Sequence, residues 1–110
     1  MKLANLGLGA IDWSQVPAAV AAGETGTATA RTRALGDIQV RLVDYGAGYR
    51  ADHWCAKGHI VHVLFGDLVI EHADGRRFAL SAGMSWHAPD EVESPHRVLC
   101  EHGATVFIVD

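Results

Sequence analysis

The chain has 110 residues, 49% apolar and 20% charged, with a formal net charge of −4. That is the composition of one globular domain with a modest core; the dispersed Lys and Arg residues exclude the basic footprint of a nucleic-acid binder, and no apolar run approaches a membrane span. With two cysteines and a start, MKLANLGLGAIDW, lacking the apolar core and cleavage site of a signal peptide, the expected setting is the cytoplasm with reduced thiols. A Cys55–Cys100 disulfide has no positive support.

Residues 1–26 read as an N-terminal extension. Asp12-Trp13-Ser14-Gln15-Val16 suggests one helical turn anchored by Trp13. Residues 17–23, PAAVAAG, are too short for an independent helix and read as a connector; residues 24–26 read as a turn. From Thr27 the pattern becomes β. Residues 27–34 are rich in Thr and carry Arg31 and Arg33, Gly36-Asp37 marks a hairpin, and Ile38, Val40 and Leu42 alternate with Gln39, Arg41 and Val43. A glycine-rich bend follows at 45–49. Beyond Gly66, Leu68-Val69-Ile70 forms a strand and Asp74-Gly75 a second hairpin signal. Residues 76–81 return, 84–88 form a short strand ended by Pro89, and 90–94 form an acidic loop. Two last strands follow, 95–100 and 104–109. No helical period persists over three turns. Short strands about every ten residues, separated by glycine turns, predict an all-β sandwich or small barrel.

The stretch from 52 to 66, DHWCAKGHIVHVLFG, is the chemical centre of the chain. His53, Cys55, His59 and His62 fall within ten positions, and the apolar run after His59 stops at Gly66. In a strand, side chains alternate between faces. His53 and Cys55 then share a face, and His59 rejoins them if the turn at 56–58 keeps phase. A thiolate and imidazoles are ligands of choice for zinc and other transition metals. The competing reading is a chance cluster of hydrogen-bonded histidines and an inert thiol.

The order of residues resembles the cupin superfamily, whose two motifs run roughly G-x5-H-x-H-x3/4-E-x6-G and G-x5-P-x-G-x2-H-x3-N. Residues 48–66 lie over the first: Gly48, His53, Cys55, His59 and Gly66, with Cys55 for the second His, His59 for the Glu, and a leading spacer one residue short. Residues 83–100 lie over the second: Gly83, Pro89, His96 and Cys100. The intervening loop is two residues longer, Glu91 stands where a glycine is usual, and Cys100 replaces the Asn. The DHWC segment is similar to a subgroup of small single-domain cupins named for a motif of Asp, His, Cys and Trp (DHCW). The resemblance implies a single-domain jelly-roll barrel (a double-stranded β-helix) of six to eight strands with a metal at one mouth. Carried over by position, the ligand set it implies is His53, Cys55, His59 and His96. It also implies a small-molecule ligand in the barrel and a homodimer formed through outer sheets, the strand at 27–33 being otherwise an exposed edge.

Ligand softness bounds the metal to a divalent transition ion, zinc foremost, with Fe or Ni as alternatives. Three imidazoles and a thiolate would close a tetrahedron around structural zinc; with Cys55 held back, open positions would suit catalysis. Cys55 is therefore a fourth ligand, a redox-sensitive thiol or a packing residue. Three functions follow: a metal-dependent enzyme of dioxygenase, isomerase or lyase type acting on a small polar molecule, a non-catalytic binding or sensing module, or a structural metal in a domain that acts through its surface.

Other residues have lesser expected roles. Asp52 reads as a surface turn residue or an orienter of a ligand, and Trp54 and Trp86 as packing or cavity lining. His87 is a candidate acid or base if it reaches the cavity. Tyr45 and Tyr49 sit near the mouth. His62, His72 and His102 read as surface and Cys100 as a buried thiol. Arg31, Arg33 and Arg41 read as a solvated or dimer-facing row.

Overall fold

The structure, a computed structural model, describes residues 3, 5–90 and 93–110. The expectation attached to Glu91 lies outside the described residues.

Among the described residues, the alternating segments form nine strands: β1 (Ala18–Ala22), β2 (Thr27–Leu35), β3 (Ile38–Tyr45), β4 (Tyr49–Arg50), β5 (His59–His72), β6 (Arg77–Ser81), β7 (Ser85–Ala88), β8 (His96–Cys100) and β9 (Ala104–Val109). The strand count exceeds six to eight partly because residues 17–23 are no connector. Ala18 to Ala22 pair with Arg31 to Thr27 as β1. All five β1 residues are exposed, so its backbone ladder holds it in place and no buried stripe betrays it in the sequence. β2 is consequently internal, and β1 is the edge. The turn before it, Trp13–Gln15, is capped by Asp12, which accepts from the Ser14 amide at 3.0 Å. Trp13 anchors it, edge-on to Phe107 with centroids 6.3 Å apart. Among the described residues no helix is long and apolar enough to cross a membrane.

Every strand pairing is antiparallel, in the order β1-β2-β3-β9-β5-β8-β4, with β6 and β7 also on β5. The first half of β5 pairs with β7 and β9, its second half with β6 and β8. One strand thus serves two sheets, which roll around a common core in the expected jelly-roll arrangement.

Gly66 is the corner of that strand and not its end. The register shifts between Val63 and Phe65, a bulge that turns the strand. Gly66 then takes φ +77, and a Cβ there would sit 2.2 Å from the Gly103 carbonyl oxygen. Only glycine allows both this backbone conformation and that approach.

The core joins Val61, Val63, Val106 and Ile108 of one sheet to Leu68, Ile70 and Leu80 of the other. Val63 and Val106 are fully buried, each stabilising by roughly 1.5–3 kcal/mol relative to exposure. At one end of this core His72 and His96 pack on Trp86, and His59 on His96.

Candidate metal centre

Three elements deliver the polar end of the barrel. The segment between β4 and β5 is irregular, not a strand, so alternation does not set the directions of His53 and Cys55. A single backbone bridge does: the Cys55 amide donates to the His96 carbonyl and the His96 amide to the Cys55 carbonyl, both at 2.8 Å. This opposes Cys55 to His96, the first residue of β8, directly after Pro95. His59 enters as the first residue of β5.

The potential ligand atoms of Cys55, His59 and His96 all lie within 4.8 Å of one another. Cys55 Sγ is 3.3 Å from His59 Nε2. The rings of His59 and His96 stand edge to face with centroids 5.1 Å apart. His96 is only 4% exposed, and the His59 side chain 9%. Trp86 packs on His96 at 4.6 Å between centroids, and His72 follows at 5.7 Å.

Burial pushes the His96 ring down to about 4, and the neighbouring rings of His59 and His72 push the same way. Burial also lowers His59, against the pull of Asp110. Both rings are therefore neutral at neutral pH, each with a lone pair to offer.

Neither ring nitrogen of His96 finds a hydrogen-bond partner among the described residues, although both are buried. An orphaned buried imidazole costs free energy, and a cation shared with Cys55 and His59 would remove that cost. Donor atoms around zinc sit about 2.0–2.3 Å from the ion, hence roughly 3–4 Å apart. The separations in the group reach that range with small side-chain rotations, so these residues fit a soft divalent ion.

His53 lies outside the group of three. Its side chain is 77% exposed, and Nδ1 bonds to Asp52 Oδ1 at 2.7 Å. Asp52 thus meets its own neighbour at the surface. Trp54 is partly exposed beneath the Arg97 guanidinium, 4.4 Å from the ring centroid.

The three residues sit in the wall of a cavity of about 570 Å³, which His53, Trp54, Tyr45 and Tyr49 also line. The tyrosine rings are 4.9 Å apart, and burial raises both phenols. A larger groove of about 720 Å³ runs along β4, β5, β6 and β8; it contains none of the three and offers no comparable ligand group among the described residues.

Several expectations change. His72 is not a surface residue. It is buried, its Nδ1 2.9 Å from the Ser94 carbonyl oxygen, because β5 continues to that position with inward parity. Arg41 is not on a solvated face: it pairs with Ile108 on the inner side and reaches Asp110 at 2.8 Å. His87 is exposed, facing away from buried Trp86. His102 is exposed, and His62 is half-buried against Ser85 at 2.7 Å. Cys100 is the buried thiol expected, and both cysteines are free.

Asp110 has no signal in the sequence. Its Oδ2 lies 3.3 Å from His59 Nδ1 and 2.8 Å from Arg41 Nη2. The pairing of β9 with β3 brings Arg41 to Asp110, and its pairing with β5 brings His59.

No family model matches the chain, and no curated protein matches it in sequence. Solved structures do match it. A sugar phosphate isomerase from a cupin superfamily, from Silicibacter pomeroyi, has TM-score 0.71 and 18% identity over 92% of this chain and 74% of that one. A cupin-2 domain protein from Rhodospirillum rubrum has TM-score 0.72 and 14% identity over 92% and 72%. The enzyme Fe(II)-HppE, solved with an alternative substrate, has TM-score 0.74 and 14% identity over 94% of this chain and 60% of its own. At such identities the likeness establishes the shape of the chain.

Proposed function

Starting from a small cupin fold, we propose that this protein is a metal-dependent enzyme acting on a small polar molecule in the barrel. Cys55, His59 and His96 are the proposed ligands. The observation that carries this reading is the convergence of three soft donors, two of them on neutral and nearly buried rings, in the wall of a cavity large enough for a metabolite. Three protein ligands leave a position for substrate or water.

A bound divalent ion would polarise a carbonyl or hydroxyl group and lower the pKa of bound water. The chain's own residues do the rest. Trp86 and His72 wall off His96 from solvent, Arg41 and Asp110 bring charge to the cavity, and Tyr45 and Tyr49 offer hydroxyl donors beside it. A sugar phosphate isomerase and an Fe(II) enzyme share this fold, and the chemistry proposed here is of dioxygenase, isomerase or lyase type. Zinc suits the thiolate, and Fe(II) or Ni(II) are the alternatives.

The second reading is a binding or sensing module with a closed site of three histidines and Cys55. It is favoured by the position of His53 on the same cavity wall as the group of three. Cobalt substitution separates the two. An open site changes its visible spectrum when azide is added; a closed four-ligand site does not. Protein that takes up no cobalt would end both readings.

The Asp, His, Trp and Cys of the DHWC segment support placing the chain with the DHCW-type small cupins. The free cysteines accord with a reducing compartment, the cytoplasm. A homodimer is proposed through the edge strand β1, whose Val20 is exposed and whose outer backbone groups can pair with a second copy. Light scattering that gives a strict monomer at micromolar concentration would remove it.

A further inference from the structure

His59 presents two ring nitrogens to two different neighbours. Nε2 faces the ligand group, 3.3 Å from Cys55 Sγ. Nδ1 faces the other way, 3.3 Å from Asp110 Oδ2. We propose that Asp110 is a positioning residue for the metal centre: it accepts the Nδ1 proton of His59, which leaves Nε2 as the ligand atom. This inference rests on the metal-centre reading given above.

Three observations carry it. First, Asp110 is held in place. Its backbone exchanges hydrogen bonds with Gln39 in both directions, at 2.6 and 2.9 Å, and Arg41 Nη2 donates to its Oδ2 at 2.8 Å. Second, its side chain is only 14% exposed, so water competes weakly for the carboxylate. Third, two buried atoms on this pair lack partners among the described residues: His59 Nδ1, which sits within ion-pair reach but off the line of a good hydrogen bond, and Asp110 Oδ1. A small rotation of the imidazole aligns the Nδ1 proton with the carboxylate.

The chemistry is general. A neutral imidazole carries one proton, and the bond made by one nitrogen decides which nitrogen is free to ligate. A carboxylate on the far nitrogen fixes the tautomer, orients the ring and raises the basicity of the ligating atom; its removal typically costs about 10–100-fold in metal affinity. Arg41 balances the charge, so that an ionised Asp110 is tolerated beside a cavity wall carrying a thiol. The competing account is an ion pair that merely ties β3 to the end of β9.

Two measurements test the assignment. The first needs no metal. Nitrogen-15 spectra of the wild-type chelated protein at pH 7.5 should show His59 with its proton on Nδ1, and Asp110→Ala should shift the population toward a proton on Nε2. The second is cobalt affinity by chelator competition. Asp110→Asn and Asp110→Ala should lower affinity by about 10–100-fold. In a His59→Ala background the same substitutions should change the residual affinity by less than about twofold. A wild-type ring protonated on Nε2 would overturn the assignment. So would Asp110 variants that lose thermal stability yet keep wild-type cobalt affinity. If the wild type binds no cobalt while His59 does carry its proton on Nδ1, the metal-centre reading fails and Asp110 orients a histidine that serves no metal.

Discussion

The burial of His96 makes the metal-free protein sensitive to mild acid, with a magnitude that can be worked out. The folded ring titrates at about 4, against an ordinary 6.5, because it is desolvated and lies beside the rings of His59 and His72. A depressed value means that the folded state holds the proton less tightly than the unfolded chain. Above about pH 7 both states are neutral and the site makes no difference to stability. As pH falls below 6.5 the unfolded chain takes up a proton that the folded one refuses, so stability falls; the loss levels off once the folded ring also protonates, near 4. Between about pH 7.5 and 4.5 this amounts to about 2–3 kcal/mol, a large share of the roughly 5–15 kcal/mol typical of a domain. Urea titrations in chelator at the two pH values should show the loss. His96→Gln should recover most of it, because every other titrating group is common to the two proteins. A variant that loses as much stability as the wild type would refute the reasoning. With metal bound, the fall should be steeper, since protons then also displace the ion and its binding free energy.

Metal content separates the proposed ligands. His59→Ala and Cys55→Ala should each lower retained zinc after dialysis by an order of magnitude or more, whereas His53→Ala, which removes an exposed ring, should leave it unchanged; loss of zinc in His53→Ala would favour the closed site. Gly66→Ala meets both a positive φ and a carbonyl oxygen 2.2 Å from the new Cβ; the backbone strain alone should cost about 1–3 kcal/mol in urea unfolding. Trp86→Ala opens a void beside His96, and a loss of about 3–5 kcal/mol is expected from the same measurement.

Much of the barrel is legible because alternation is local. The apolar-rich run that closes at Val109 coincides with β9, and Gly36-Asp37 and Asp74-Gly75 fall where hairpins turn. What escapes are features decided by partners distant in sequence. β1 is a strand because β2 offers it a ladder, although its alanines bury nothing. β5 runs through Gly66 because β9 and β8 accept successive halves of it, so the same glycine that marks a stop in a single segment becomes a corner in the fold. His72 is inside for that reason.

The candidate site follows the same division. His59 and His96 begin strands, and their approach depends on the barrel closing. Cys55 joins them through one reciprocal backbone bridge to His96, a residue far along the chain. His53, two residues earlier on the irregular segment, turns to Asp52 instead. The spacing of a histidine and a cysteine two apart therefore cannot tell which of them joins the group. The backbone hydrogen bonds of Cys55 decide which of the two stands beside His59 and His96, and because they run through main-chain atoms they aim whatever side chain stands there. Cys55→His should accordingly keep a third donor beside His59 and His96 and retain zinc after dialysis. Moving the thiol instead, with His53→Cys in a Cys55→Ala background, should leave the zinc content as low as in Cys55→Ala alone. Full zinc in that double variant would show that position 53 reaches the group as readily as position 55, and that the bridge does not select the ligand.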